Sequence, residues 1–159
     1  RRQRQMCIRD RMQISTGERC YLFRLNKIGI GAEMKAFLEN SAVTKIGLSV
    51  HDDFSVLRRS VEFTPGGFID LQDMVKQYDI TDISLQKIYA ILFGKRISKS
   101  QRLTNWEADS LSPAQQAYAS IDAQACLKIY NYLISGGFDP MSSPYRHIYE
   151  APVQRSMRQ

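Results

Sequence analysis

At 159 residues and 43% hydrophobic content, the chain is the size of one globular domain with an adequate core. Its longest apolar run, Ile88 to Phe93, falls far short of the ~20 residues a bilayer demands, and no charged-then-apolar start with a small-residue cleavage site appears, so the sequence reads as a soluble, cytoplasmic protein with no membrane partner. The net charge of +6 and pI of about 9.3 favour a polyanionic partner, while three unevenly spaced cysteines, Cys7, Cys20 and Cys126, argue against a disulfide framework or a zinc site.

The charge is not evenly spread. Residues 1–11 hold five arginines and one aspartate, which leaves a net of only +2 for everything after them. This string has no periodicity and resembles the translation of a sequencing adapter, so it is read as a non-native segment behind which the true N-terminus is lost. A basic arm touching nucleic acid is the lesser alternative. From Met12 the pattern becomes regular. Met12 to Thr16, a Gly17-Glu18 turn and Cys20 to Leu25 predict a β-hairpin. Gly31 to Asn40 reads as a short helix with Met34, Phe37 and Leu38 on one side. Val43 to Val50 reads as a strand covered on both faces. His51 to Phe54 opens a second helix carrying Leu57 and Val61. Gly67 to Leu71 forms another short strand, which turns at Asp70, a structural cap, into a helix around Met74 to Tyr78. Ser84 caps a helix with Leu85, Ile88, Tyr89 and Leu92 inward, stopped by Gly94.

A basic segment, Lys95 to Trp106, leads into the longest element. Ser112 suits an N-cap, Pro113 the first helical position and Gln115 the capping-box glutamine, and Gly136-Gly137 closes the helix. Tyr118, Ile121, Ala125, Ile129 and Leu133 recur at helical spacing and mark the inward face. Asp122 lies in that stripe, and a carboxylate there is costly unless a cation or several donors meet it. Tyr118 precedes it by one turn. Beyond residue 135 the pattern fades. A hairpin followed by alternating strands and helices is the order of a mixed-sheet α/β domain.

Two carboxylates carry the functional argument. Asp122 is one; Asp53, past the carboxyl end of the strand at Lys45 to Val50, is the other, at the place where open α/β sheets hold their sites. Phosphodiester hydrolysis by two ions needs convergent carboxylates around cations roughly 3.5–4 Å apart, and Mg²⁺ prefers such oxygen ligands. Each signal has a plainer reading: Asp53 equally suits a helix cap, and Tyr-x-x-x-Asp is common on helices.

The order of the motifs decides between them. Lys45-Ile-Gly-Leu-Ser-Val-His-Asp-Asp-Phe-Ser-Val-Leu57 resembles the second exonuclease motif of the ribonuclease D and Werner-type 3′-to-5′ exonucleases. Phe68 to Leu71, and Ser84-Leu85 through Gly94-Lys95, are similar to the spacer of that family. Lys99-Ser-Gln-Arg-Leu-Thr-Asn-Trp106 resembles its Lys-Ser-x-Arg-x-Ser-Asn-Trp segment, and Ala117 to Ala123 its Tyr-Ala-x-x-Asp third motif.

The resemblance implies an RNase H-like α/β fold, a mixed sheet flanked by helices, of the DEDD class with tyrosine. It implies a 3′-to-5′ exonuclease acting on the 3′ end of DNA or RNA with two Mg²⁺ or Mn²⁺ ions and no small-molecule cofactor. Asp53 becomes the second-motif acid and Asp122 the third-motif acid, both metal ligands, with Tyr118 orienting the attacking water. The family's first motif, Asp-x-Glu on a central strand, is not found before the hairpin. The expected organisation is therefore a non-native segment at 1–11, an N-terminally truncated exonuclease domain at 12–135 and an irregular tail at 136–159. Such a fragment should bind metal poorly, cleave nothing and be unstable. Lys99 and Arg102, beside Lys95 and Arg96, suit a phosphate backbone and equally suit a solvated loop; Trp106 reads as a loop anchor. The alternative function is a catalytically dead module on the same fold that holds nucleic acid or a protein. Oligomeric state is left open.

Overall fold

The computed structural model describes residues 11–98 and 100–144. Strands β1 (Met12–Ser15) and β2 (Cys20–Phe23) form the expected antiparallel hairpin, from Met12 opposite Phe23 to Ser15 opposite Cys20. Gly17 supplies the left-handed turn residue at φ 94°. The second strand is shorter than the sequence pattern indicates, because Leu25 opens a one-turn helix, α1 (Leu25–Ile28), and buries its side chain. Tertiary contacts end the strand there: the Arg24 guanidinium donates to the carbonyls of Trp106 and Asp109.

Helix α2 (Ala32–Glu39) falls where predicted, with Leu38 buried. Strand β3 is only Lys45–Gly47 and is partly buried, not the eight-residue covered strand expected from Val43 to Val50. Val43 is exposed, and Ser49 turns the chain at φ 62°, ψ 40° into α3 (Val50–Leu57), beyond which Val61 lies. Strand β4 (Phe68–Asp70) lies parallel to β3, with Gly47 opposite Asp70. Its approach passes close to the end of α2: a Cβ on Gly66 would collide with the carbonyl of Glu39, and Gly67 sits at φ 70°. Lys45 fills the same corner, its buried ammonium donating to the carbonyls of Asn40 (2.7 Å) and Val43 (2.9 Å) beside the rings of Phe37 and Phe68.

After β4 come α4 (Leu71–Met74), a 3₁₀ turn (Val75–Tyr78) and α5 (Leu85–Phe93), which is capped by Ser84 on the Lys87 amide and closed by Gly94 at φ 65°. Helix α6 (Pro113–Ile134) has the complete reciprocal capping box of Ser112 and Gln115. A 3₁₀ turn (Pro140–Ser142) is the last element described. Among the described residues the strands form two separate pairs, one antiparallel and one parallel, with helices around them. None of these helices is long and apolar enough to cross a membrane.

Two apolar clusters result. One joins α4, α5 and the C-terminal half of α6 through Leu71, Val75, Ile88, Ile129 and Leu133; the other joins α1, α2 and α3 through Leu25, Leu38, Val50, Phe54 and Leu57. The inward face predicted for α6 is buried only in its second half. Ala125, Ile129 and Leu133 are buried, Tyr118 and Ile121 are intermediate, and Asp122 is exposed, which corrects its placement on a packed face. At its middle the helix meets an open cavity through Asp122, Ala123, Cys126 and Leu127.

Two substitutions probe this packing. Ile129→Ala should cost about 2–5 kcal/mol through the void it leaves, and Gly66→Ala about 1–3 kcal/mol by forcing β4 from α2, both read from urea unfolding. Losses under about 0.5 kcal/mol, the range of neutral surface changes, would contradict these contacts.

A candidate two-carboxylate cleft

The cleft begins with how α3 is aimed. Its first residue follows the left-handed Ser49, whose hydroxyl donates to Asp52 (2.8 Å) and not to an amide of its own helix. Asp53 lies in the first turn and a half of α3, half-buried, and Asp122 projects from the middle of α6. Both line one cavity of about 730 Å³, together with β1, β3 and Cys126. Among the described residues, neither carboxylate accepts a hydrogen bond or sits in an ion pair.

That isolation has an electrostatic signature. Burial, then the negative charges of Asp52 and Asp70, push Asp53 up to about 6. Burial also raises Asp122, against the lowering pull of the Arg11 guanidinium. Asp122 combines an open surface with a raised pKa because solvent reaches it through the cavity while the surrounding walls limit its hydration. The Cys126 thiol, one turn further along α6, is pushed up to about 12 by burial and then by Asp122, Asp70 and Asp53. It is an unreactive structural thiol, as its burial suggests.

Tyr118 lies one helical turn before Asp122 but is not part of the cavity lining. Its ring stands 6.0 Å from that of Trp106, over which Arg11 places its guanidinium at 3.5 Å from the ring centroid. Trp106 is the loop anchor the sequence suggests, its indole N–H donating to the carbonyl of Gln101. Gln115 adds a role not visible from the capping pattern: its buried amide donates to the Thr104 hydroxyl and the Asn105 carbonyl, tying the basic loop to α6. Arg102 is exposed on that loop, whereas Lys99 and residues 1–10 lie outside the described residues.

Asp70 does more than the expected cap. It accepts from Gln72 N at 2.9 Å and also from Ser49 N and Val50 N, each at 3.0 Å. No sequence signal links positions 21 residues apart; only the pairing of β3 with β4 brings them together. His51, Asp70 and Asp73 bring ligand atoms within 4.8 Å of one another. Asp70 is already committed to three amides there and Asp73 pairs with Lys76 at 3.1 Å. None of the three lines the cavity. The hard oxygen donors of Asp53 and Asp122, which share the cavity, are the chemistry that suits a divalent cation.

Comparison with known proteins bears on the family and the fold. A family model described as 3′-5′ exonuclease matches residues 5–135. The mouse bifunctional 3′-5′ exonuclease/ATP-dependent helicase WRN is 29% identical over 134 residues, covering 81% of this chain and 9% of that protein. Ribonuclease D of Acidiphilium cryptum is 29% identical over 103 residues, covering 64% of this chain and 26% of its own length. The chain thus spans only 9% and 26% of the lengths of these two curated relatives. Among solved structures, Escherichia coli RNase D superposes with a TM-score of 0.68 at 24% identity over 79% of this chain and 34% of that one, and the Aedes aegypti Nibbler EXO domain with 0.65 at 20% identity over 83% and 74%. The fold is therefore the RNase H-like α/β fold of these exonuclease domains, and with the family model spanning far more than half of its residues, this chain belongs to the DEDD-type 3′-5′ exonuclease family.

Proposed function

We propose that this chain supplies part of the active site of a 3′-to-5′ exonuclease that hydrolyses the terminal phosphodiester of a nucleic acid with divalent cations. The observation that carries the reading is the convergence of Asp53 and Asp122, from different helices, on one cavity. Both would hold Mg²⁺ or Mn²⁺. When bound, such ions supply charge neutralisation at the phosphate and a more acidic water. The chain's own residues do the rest. Asp53 must surrender its proton before it can ligate, so its carboxylate is available above about pH 6. Tyr118, one turn from Asp122, is the candidate to orient a water at the 3′ end, which requires its ring to turn from Trp106 toward the cavity. Arg102 and Lys99 are candidates for the phosphate backbone.

Two carboxylates among the described residues are few for a pair of ions. This chain alone is therefore expected to bind them weakly and to cleave slowly or not at all. Binding of a 3′ end without hydrolysis is the competing outcome and would favour a non-catalytic module.

Release of 3′ nucleotides from labelled DNA and RNA oligonucleotides with Mn²⁺, alongside Asp122→Ala and Asp53→Ala, tests the assignment. Any cleavage should fall at least 100-fold in either variant, and cleavage that survives both would show that the cavity is not its source. Titration by Mn²⁺-induced NMR broadening should give an affinity that rises with pH through about 6 and weakens at least tenfold in Asp53→Asn. An affinity flat from pH 5 to 8 would separate Asp53 from the metal.

The same shift bears on stability. A carboxyl whose folded pKa of about 6 exceeds its ordinary 3.8 binds its proton more tightly in the folded state. Its favourable contribution is full below pH 3.8 and lost as pH climbs to 6. Asp53→Asn should flatten that part of the urea-midpoint profile. An unchanged slope would contradict the shift. Neutralising Arg102 should weaken oligonucleotide binding and reduce its salt dependence by about one charge; unchanged filter-binding curves would assign the loop to solvent.

A further inference from the structure

The start of α3 is held from outside the helix. Ser49 adopts a left-handed conformation that a non-glycine residue reaches only under constraint, and its hydroxyl is spent on Asp52. No side chain of α3's own N-terminus caps it. Asp70 supplies what is missing. One of its oxygens accepts from Ser49 N and the other from Val50 N, and the first also starts α4 through Gln72 N. This carboxylate therefore ties together the ends of two paired strands and the beginnings of two helices, because β4 ends at Asp70 directly opposite Gly47 of β3. An asparagine could not replace it: one of its two ends would point an N–H at another N–H.

We propose that Asp70 is a positioning residue for the cleft, holding the left-handed turn at Ser49 so that the first turns of α3 present Asp53 to the cavity. It does this without lining the cavity itself. The inference rests on the reading of Asp53 and Asp122 as the cation-binding pair. It assigns Asp70 no contact with ion or nucleic acid.

The test measures binding of Mn²⁺ alone, by NMR broadening, to the full chain, Asp70→Asn, Asp53→Asn and the double variant Ser49→Gly/Asp70→Asn. Urea unfolding of each sample accompanies the titration. Asp70→Asn should weaken Mn²⁺ at least fivefold in protein that is still cooperatively folded. Ser49→Gly should then restore affinity to within threefold of the parent, since glycine occupies the left-handed turn without being held there. A purely stabilising role for Asp70 predicts a lower unfolding midpoint with Mn²⁺ affinity unchanged, and that result overturns the proposal. So does a double variant that folds but stays more than threefold weak. If Asp70→Asn does not fold, the double variant alone decides by the same threefold limit; if that too fails to fold, glycine has not replaced the clamp and the proposal falls. Loss of affinity in Asp53→Asn without loss in Asp70→Asn removes this inference alone. No saturable Mn²⁺ effect on the parent chain removes the cleft reading beneath it.

Discussion

A half-buried carboxylate without a donor or a counter-charge is an unstable element in a folded protein, and the cleft contains one. Asp53 has no hydrogen-bond or ion-pair partner among the described residues, and its nearest electrostatic influences, Asp52 and Asp70, are of its own sign. Desolvation does most of the work of raising it to about 6, and the like charges add to that. Folding could have relieved the cost by turning Asp53 to solvent, as it does for its neighbour Asp52. Instead α3 buries Phe54 and Leu57 on either side of the helical turn, and this burial carries Asp53 toward the cavity. Core packing thus enforces the electrostatic strain.

The architecture around that strain is economical. Two apolar clusters are built on either side of the cavity, one under α2 and α3, the other between α5 and the second half of α6. Helix α6 belongs to both regions: its C-terminal half packs, while its N-terminal half carries Asp122 along the open wall. The loop before it is fastened at several points. Gln115 grips Thr104 and Asn105, and Arg24 reaches across from the end of β2 to Trp106 and Asp109. The exposed Arg102 is therefore displayed on a segment with a fixed base.

What could be read from the sequence follows from the range of the interaction involved. The boundaries of α5 and α6 depend on caps and glycines within a few residues, and Ser84, Gly94 and Ser112 place them correctly. The hairpin is equally local. The β-rich composition of Val43 to Val50 predicts a longer strand than β3, whereas the bend at Ser49 is imposed by Asp70 from 21 residues away. Tyr118 and Asp122 share a helix turn, as the spacing says, but Trp106 draws the tyrosine ring to one side. The burial of Lys45 has no such local signal, since its partners are the carbonyl of Val43 and that of Asn40, which caps the end of α2.

The two acids differ in a way that bears on what the cavity can accept. Asp53 is burdened by two like charges; Asp122 is relieved by one opposite charge, that of Arg11, which also rests on the Trp106 ring beside Tyr118. Both carboxyls line a space whose walls are largely apolar side chains and that also includes Arg11 and Lys45, the latter committed to the carbonyls of Asn40 and Val43, so like charges dominate around Asp53 while Arg11 offsets them on the Asp122 side. An uncharged ligand would leave that imbalance in place, and an anionic one would deepen it. A phosphate group beside Asp53 is disfavoured unless positive charge enters with it. The proposed pairing of an anionic substrate with a divalent cation rests on this asymmetry between Asp53 and Asp122.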